Sequence, residues 1–305
     1  MSSWFKDASG RIRSGWVIAV FTVVAVITAT ALHAALYLLG LMPDSPYSLD
    51  DPKLGLQTGA NLLSAIAATA VARAMGEVPG FERPKLVAPG AAAAALLLCI
   101  TVGLGAVLSG TLGLSTCDWR VKAGVQQLLL IGPTAVAEEL WLRGAAFRAL
   151  VRGTHPIFAI AGTGVVFGAL HLTNPEASVV AALNVALVGI WFGAMAWRAN
   201  SIWPAIGAHL AWNWFEGFFW GQHVSGIQAG CSLLTATSQP PFWGGGAFGP
   251  EASGLTAVLL ALASAITLAW PKLTGAAAPP NPPASPPSAA APPPSGPPPP
   301  AAPPP

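Results

Sequence analysis

Glu138, Glu139 and Arg143 lie together in a run that otherwise reads as a membrane-spanning helix. Ionised side chains at that depth cost roughly 3 kcal/mol each on insertion scales. Such a cluster is kept where it pairs, lines a water-filled cavity or does chemistry. Glu139 and Arg143 are four apart, so they share a helical face, with the glutamate on the favourable amino-terminal side. Glu138 is turned about 100° from Glu139 and need not join that pair. This division gives Glu139 and Arg143 a supporting role and leaves Glu138 as the candidate general base. The plainer alternative is that all three only staple helices together.

Two later apolar runs carry complementary groups. In VVFGALHLTNP, Phe167 and His171 are four apart, and in PAIGAHLAWNWFEG so are His209 and Asn213. Each pair therefore projects from one face of its helix. A single histidine in an apolar run is more often a packing residue, which is the reading for His33 and His155. Two in separate helices, alongside an intramembrane glutamate, suggest a site. A carboxylate can activate water while His and Asn donate to the oxyanion formed at a peptide carbonyl. Glu138, His171 and His209 could instead ligate a divalent metal such as zinc. The residues alone leave both mechanisms open. Glu216, seven after His209, could line the same cavity, but a cap on the wet outer end of that helix is the expectation.

The surrounding composition is that of a membrane protein. The chain has 305 residues, 53% hydrophobic and only 9% charged, with a mean hydropathy of +0.60. Ordinary soluble domains carry about 25% charged residues, which excludes that class. A net charge of +2 without a basic stripe gives no reason to expect a nucleic acid partner. The fold class is all-α, a multi-pass transmembrane helical bundle. Eight apolar segments, near 16–41, 57–76, 88–114, 121–150, 156–172, 178–198, 202–221 and 253–271, approach the roughly 20 residues that a bilayer core requires. They divide the chain into an amino-terminal membrane region (1–119), a core (120–221), an external loop with the last helix (222–274), and a Pro/Ala-rich tail (275–305) that cannot bury a core and should be disordered.

Lysine and arginine distribution places both termini in the cytoplasm, with the connections near 42–56, 172–177 and 222–252 outside. Arg120 and Lys122 beside Asp118 make one awkward outer connection. Twelve Trp fit an interfacial aromatic belt. Cys117 and Cys231 both fall on the outer side; two free thiols are expected there, with a disulfide as the alternative. Counted from the cytoplasmic ends, Glu138 and His171 lie roughly 20 Å deep and His209 roughly 10 Å. Convergence then requires tilted helices or a shifted boundary, such as a fourth helix projecting into the cytoplasm near Arg148.

EELWLR at 138–143, FGALH at 167–171 and HLAWN at 209–213 together resemble the motif set of the CPBP (CAAX protease and bacteriocin-processing, or Abi) family, which includes type II CAAX prenyl endopeptidases. That pattern is EExxxR, then FxxxH, then HxxxN or HxxxD, on successive transmembrane helices. The resemblance covers roughly 120–220 and implies an intramembrane endopeptidase acting on a membrane-associated protein or peptide within the lipid bilayer. By position it implies that Glu138 activates water, His171 assists, His209 and Asn213 form the oxyanion hole, and Glu139, Arg143 and Phe167 support the site. The family is often labelled metalloprotease; without a tight ligand spacing such as HExxH, the metal-independent glutamate mechanism is favoured over zinc. High Ala, Gly and Pro content is that of a bacterial chain from a GC-rich genome, hence an inner-membrane location. The competing readings are a non-catalytic relative acting in bacteriocin immunity or as a partner of a membrane complex, and a transporter, for which no internal symmetry is visible.

Overall fold

Backbone that must satisfy its own hydrogen bonds in lipid folds as helix, and each of the eight apolar segments does so over most of its length. The third, expected through 114, is helical only to Ser109, and its Leu112–Leu114 form a strand. The computed structural model describes residues 4–44, 47–109, 112–115, 117–236 and 241–272. Its helices are α1 (Ser14–Leu38), α2 (Lys53–Ala74), α3 (Val87–Ser109), α4 (Arg120–Arg143), α5 (Ala145–Gly153), α6 (Pro156–Leu170), α7 (Val179–Ala199), α8 (Trp203–Trp214), the single turn α9 (Pro241–Gly244) and α10 (Gly254–Ala269). Five helical segments, corresponding to α1, α2, α3, α6 and α7, are long and apolar enough to cross a membrane. The remaining three of the eight segments also fold as helix. Helix α4 carries the charged cluster, α8 continues as a π-helical turn over Phe215–Phe219, and α10 is shorter. The tail expected to be disordered lies outside the described residues.

Another expectation is corrected. The fourth segment is not continuous through 150: α4 stops at Arg143, and Gly144 (φ −80°, ψ −136°) turns the chain into α5. A Cβ on Gly144 would come within 2.4 Å of the Leu140 carbonyl oxygen, so a larger residue could not make this turn. Hydropathy runs on through the break because α5 is itself amphipathic, burying Ala145, Phe147 and Ala149.

Small residues set how closely the central helices approach. A Cβ on Gly168 would lie 2.3 Å from the Ala182 carbonyl oxygen, which brings α6 directly against α7. At the α3–α8 crossing, a Cβ on Gly207 would lie 2.0 Å from the Val87 carbonyl oxygen. Backbone-to-backbone packing of this kind is the usual source of helix association in lipid. Around these crossings lies the main core, which includes Leu98, Phe192 and Trp212.

The two ends of the bundle differ. At one end the Arg152–Glu77 ion pair, Arg83 Nη1 donating to the Ala199 carbonyl (2.9 Å) and Trp203 Nε1 donating to the Phe81 carbonyl (2.8 Å) tie the connections together. At the other, strands β1 (Leu112–Leu114) and β2 (Leu234–Ala236) pair antiparallel with Leu112 opposite Ala236. Cys117 and Cys231 are joined in a disulfide, not free as expected. Hydropathy cannot report such a pairing, because it arises from the β1–β2 register that brings positions 114 residues apart to a Cα separation of 5.7 Å. Gln127 Nε2 then donates to the Cys231 carbonyl (2.8 Å), fastening this lid to α4.

Candidate active site

The early stop of α4 removes the difference in depth between Glu138 and His209. Glu138 now lies about one and a half turns from the end of α4, and His209 under two turns into α8, so both sit at a similar level. His171 caps the far end of α6 and opens a short 3₁₀ turn to Thr173.

The acid–base groups form one network. Glu139 and Arg143 make a fully buried ion pair (Oε1–Nη1 3.0 Å), and Arg143 Nη2 also donates to the Gly189 carbonyl on α7 (2.9 Å). The guanidinium carbon lies 4.7 Å from the centroid of the Phe167 ring, within cation–π range. Gly189 permits this approach, since a Cβ there would lie 3.0 Å from Arg143 Nη2. His209 reaches both glutamates: Nδ1 is 3.0 Å from Glu139 Oε1 and Nε2 is 3.7 Å from Glu138 Oε2. The hydrogen bond that one ring nitrogen makes determines what the other can do. With Nδ1 engaged by Glu139, Nε2 is left facing Glu138 and the cavity. Phe167 packs edge-on against both His171 (4.6 Å) and His209 (5.7 Å), so one ring holds the two imidazoles in place.

These groups converge on a cavity of about 370 Å³ lined by Glu138, His171, His209 and Asn213. Its volume is at the small end of ligand sites. The Glu138 side chain is 21% exposed while that of Glu139 is fully buried, the division expected from their angular offset. His171 Nδ1 lies 2.8 Å from the Phe167 carbonyl, leaving Nε2 for the cavity. The other three histidines are local: His33 Nδ1 bonds the Ala29 carbonyl, His155 caps α6 by accepting from the Ile157 N–H, and His223 Nδ1 bonds the Ala247 carbonyl.

Two further glutamates change the picture. Glu216 does not cap a wet helix end: it is fully buried in the π-helical turn, and a Cβ on Gly249 would lie 3.4 Å from its Oε1. Counting outward along the helix placed Glu216 in solvent because the covering loop is distant in sequence. Glu251, in that loop, also lines the cavity and accepts from the Ser225 hydroxyl. Burial pushes its carboxyl above the ordinary carboxylate range, opposed by His171 and by that hydroxyl. Sequence reasoning missed it, although it is the one acidic residue in 222–252.

Among the described residues, no group of three His, Cys, Asp or Glu side chains is placed to hold an ion. The two histidines direct their Nδ1 atoms at Glu139 and at a backbone carbonyl, which leaves both Nε2 atoms for the cavity.

Residues 122–215 match the family model described as type II CAAX prenyl endopeptidase Rce1-like, consistent with a member of the CPBP family. The span takes in Glu138 through Asn213 and every group of the network above. A relative from Bacillus subtilis (strain 168), the "Uncharacterized protein YyaK", is 33% identical over 129 residues, covering 41% of this chain and 42% of that protein. The chain thus spans less than half the length of the curated relative it matches.

Proposed function

We propose that this chain is an intramembrane endopeptidase that hydrolyses peptide bonds of membrane-associated polypeptides, crossing a bacterial cell membrane about eight times with both termini in the cytoplasm. The observation that carries this reading is the placement of Glu138: part-exposed to the cavity, with His209 Nε2 3.7 Å away and no ion pair to Lys or Arg among the described residues. The Rce1-like match supports protease chemistry at the family level.

The Glu138 carboxylate takes a proton from water as the water oxygen attacks the scissile carbonyl carbon. The tetrahedral oxyanion accepts from the Asn213 amide and, when the ring carries both protons, from His209 Nε2–H. The C–N bond then breaks, and the proton held by Glu138 passes to the leaving nitrogen. His171 orients the water through Nε2. Glu139, Arg143 and Phe167 hold His209 in its working orientation.

The test compares purified wild type, Glu138→Ala and Glu139→Ala on membrane-tethered peptides, with and without a chelator. Cleavage by wild type but not by Glu138→Ala is expected, chelator or not. Cleavage surviving Glu138→Ala sinks the assignment of the base, and loss on chelation restored by zinc overturns the metal-free mechanism. No cleavage by wild type, with an immunity phenotype retained by Glu138→Ala, favours the non-catalytic reading.

A further inference from the structure

Which mouth admits the substrate follows from three independent features. First, charge separates along the bundle axis. The connections 4–13, 73–85, 144–156, 198–202 and 271–272 hold three, three, two, one and one Lys or Arg, ten of the chain's 14, against three acids: Asp7, Glu77 and Glu82. The opposite connections, 39–53, 112–122, 171–178 and 222–253, hold three Lys or Arg against six Asp or Glu. Excess Lys and Arg marks the cytoplasmic side. Second, the Cys117–Cys231 disulfide closes the opposite end, and disulfides persist in oxidising compartments such as the bacterial periplasm or cell surface. Third, the cavity belongs to that disulfide end. Tyr47, Pro175, Ser225, Ile227 and Glu251 line it from the connections there, and none of its lining residues comes from the basic connections. On its basic side, the lining residues Phe167 and His209 contact the fully buried Glu139–Arg143 pair.

We propose that the cavity takes its substrate from the extracytoplasmic side: a neutral or cationic extracytoplasmic segment of a membrane-tethered polypeptide, not a free carboxyl-terminal tail presented from the cytoplasm. The access follows from the three features above. The substrate class rests also on the protease reading and on the lining, which holds the Glu138 carboxylate and no Lys or Arg, while Glu251 beside it is favoured in its neutral, protonated form. A terminal carboxylate entering that space meets like charge, whereas a lysine side chain meets its opposite. Ion pairs in a partly desolvated cavity are screened far less than those in open water.

Access is tested without any need for activity. Full-length Cys99→Ala, carrying either Thr173→Cys at the cavity mouth or Lys272→Cys at the basic end, is expressed in bacterial cells and treated with a membrane-impermeant maleimide. Thr173→Cys should label in intact cells and Lys272→Cys only in inverted vesicles. Labelling of Thr173→Cys only after inversion, or not at all, overturns the proposal. Independently of any variant, thiol-trapped wild type on a non-reducing gel should run oxidised at Cys117–Cys231; a fully reduced protein in intact cells counts against it. For the substrate class, two lipid-tethered peptides differing only in Lys or Glu beside the scissile bond are compared in proteoliposomes. The Lys peptide should be cut about tenfold faster, equivalent to about 1.4 kcal/mol; equal rates overturn the charge preference. Correct labelling with neither peptide cut removes the protease reading, and with it the substrate class, while access stands.

Discussion

Two cavities of similar volume, about 370 and 320 Å³, differ in the sign of their charge and in what their charges do. The basic one is lined by Arg11, Arg143, Arg148, Arg152 and Lys272 against Glu77. Most of those cations are committed: Arg152 to Glu77, Arg148 to Glu82, Arg143 to Glu139, while Lys272 lies 5.2 Å from the Trp197 ring centroid. In the other cavity Glu138 faces open space, and its one charge-pair contact among the described residues is the His209 imidazole. A carboxylate matched to a guanidinium holds the bundle together, while one left with a histidine and a cavity remains available to move a proton.

The sharpest way to break this contrast is kinetic. Glu138→Gln should lower kcat/KM on a tethered peptide by about 10²–10⁴-fold, the usual contribution of a general base, with the denaturation midpoint unchanged. A similar loss from Arg148→Gln would erase the distinction between the cavities. Next in size is the wall between them. Arg143→Met leaves Glu139 buried without its cation and should cost about 3–5 kcal/mol, measured as a lower midpoint of denaturation in detergent. Adding Glu139→Gln should recover most of that loss; if it does not, packing and not charge holds the wall.

A smaller effect should follow pH. The raised carboxyl of Glu251 means that the fold favours its protonated form. That stabilisation is full below the unfolded pKa near 4.3 and is lost as pH rises through the higher folded value. Glu251→Gln keeps an acceptor for Ser225, so thermal melts should show it matching wild type near pH 4 and gaining on it as pH rises from there. Parallel curves for the two proteins would rule this out. Smallest of all is Arg148→Gln: its pair with Glu82 is long (3.6 Å) and part-exposed, so about 0–1 kcal/mol and unchanged cleavage are expected.

The candidate site was largely legible in the sequence because its chemistry is local to three helices. Spacings of four residues put Glu139 with Arg143, Phe167 with His171 and His209 with Asn213, and a charge in an apolar run is conspicuous by its energy alone. What was not legible is whatever closes over the helices from a distance. Glu251 sits in a glycine-rich turn with no periodicity to betray its direction, and the disulfide depends on a strand register 114 residues in span. Glu216 was misplaced because a residue's distance along a helix says nothing of the loop above it. The break at Gly144 escaped because an amphipathic helix lying across the end of the bundle has nearly the hydropathy of one that continues through it.

The Glu139–Arg143 pair, clamped by Phe167 and Gly189, has an electrical consequence. The basic cavity reaches Arg143, and the other reaches Phe167 and His209, which touch the pair, so only a few side chains separate the two hollows. A membrane voltage drops chiefly where water is excluded, at about 2.3 kcal/mol per elementary charge per 100 mV. The same few side chains that contact His209 therefore also act as an insulator, blocking proton leakage between the two cavities.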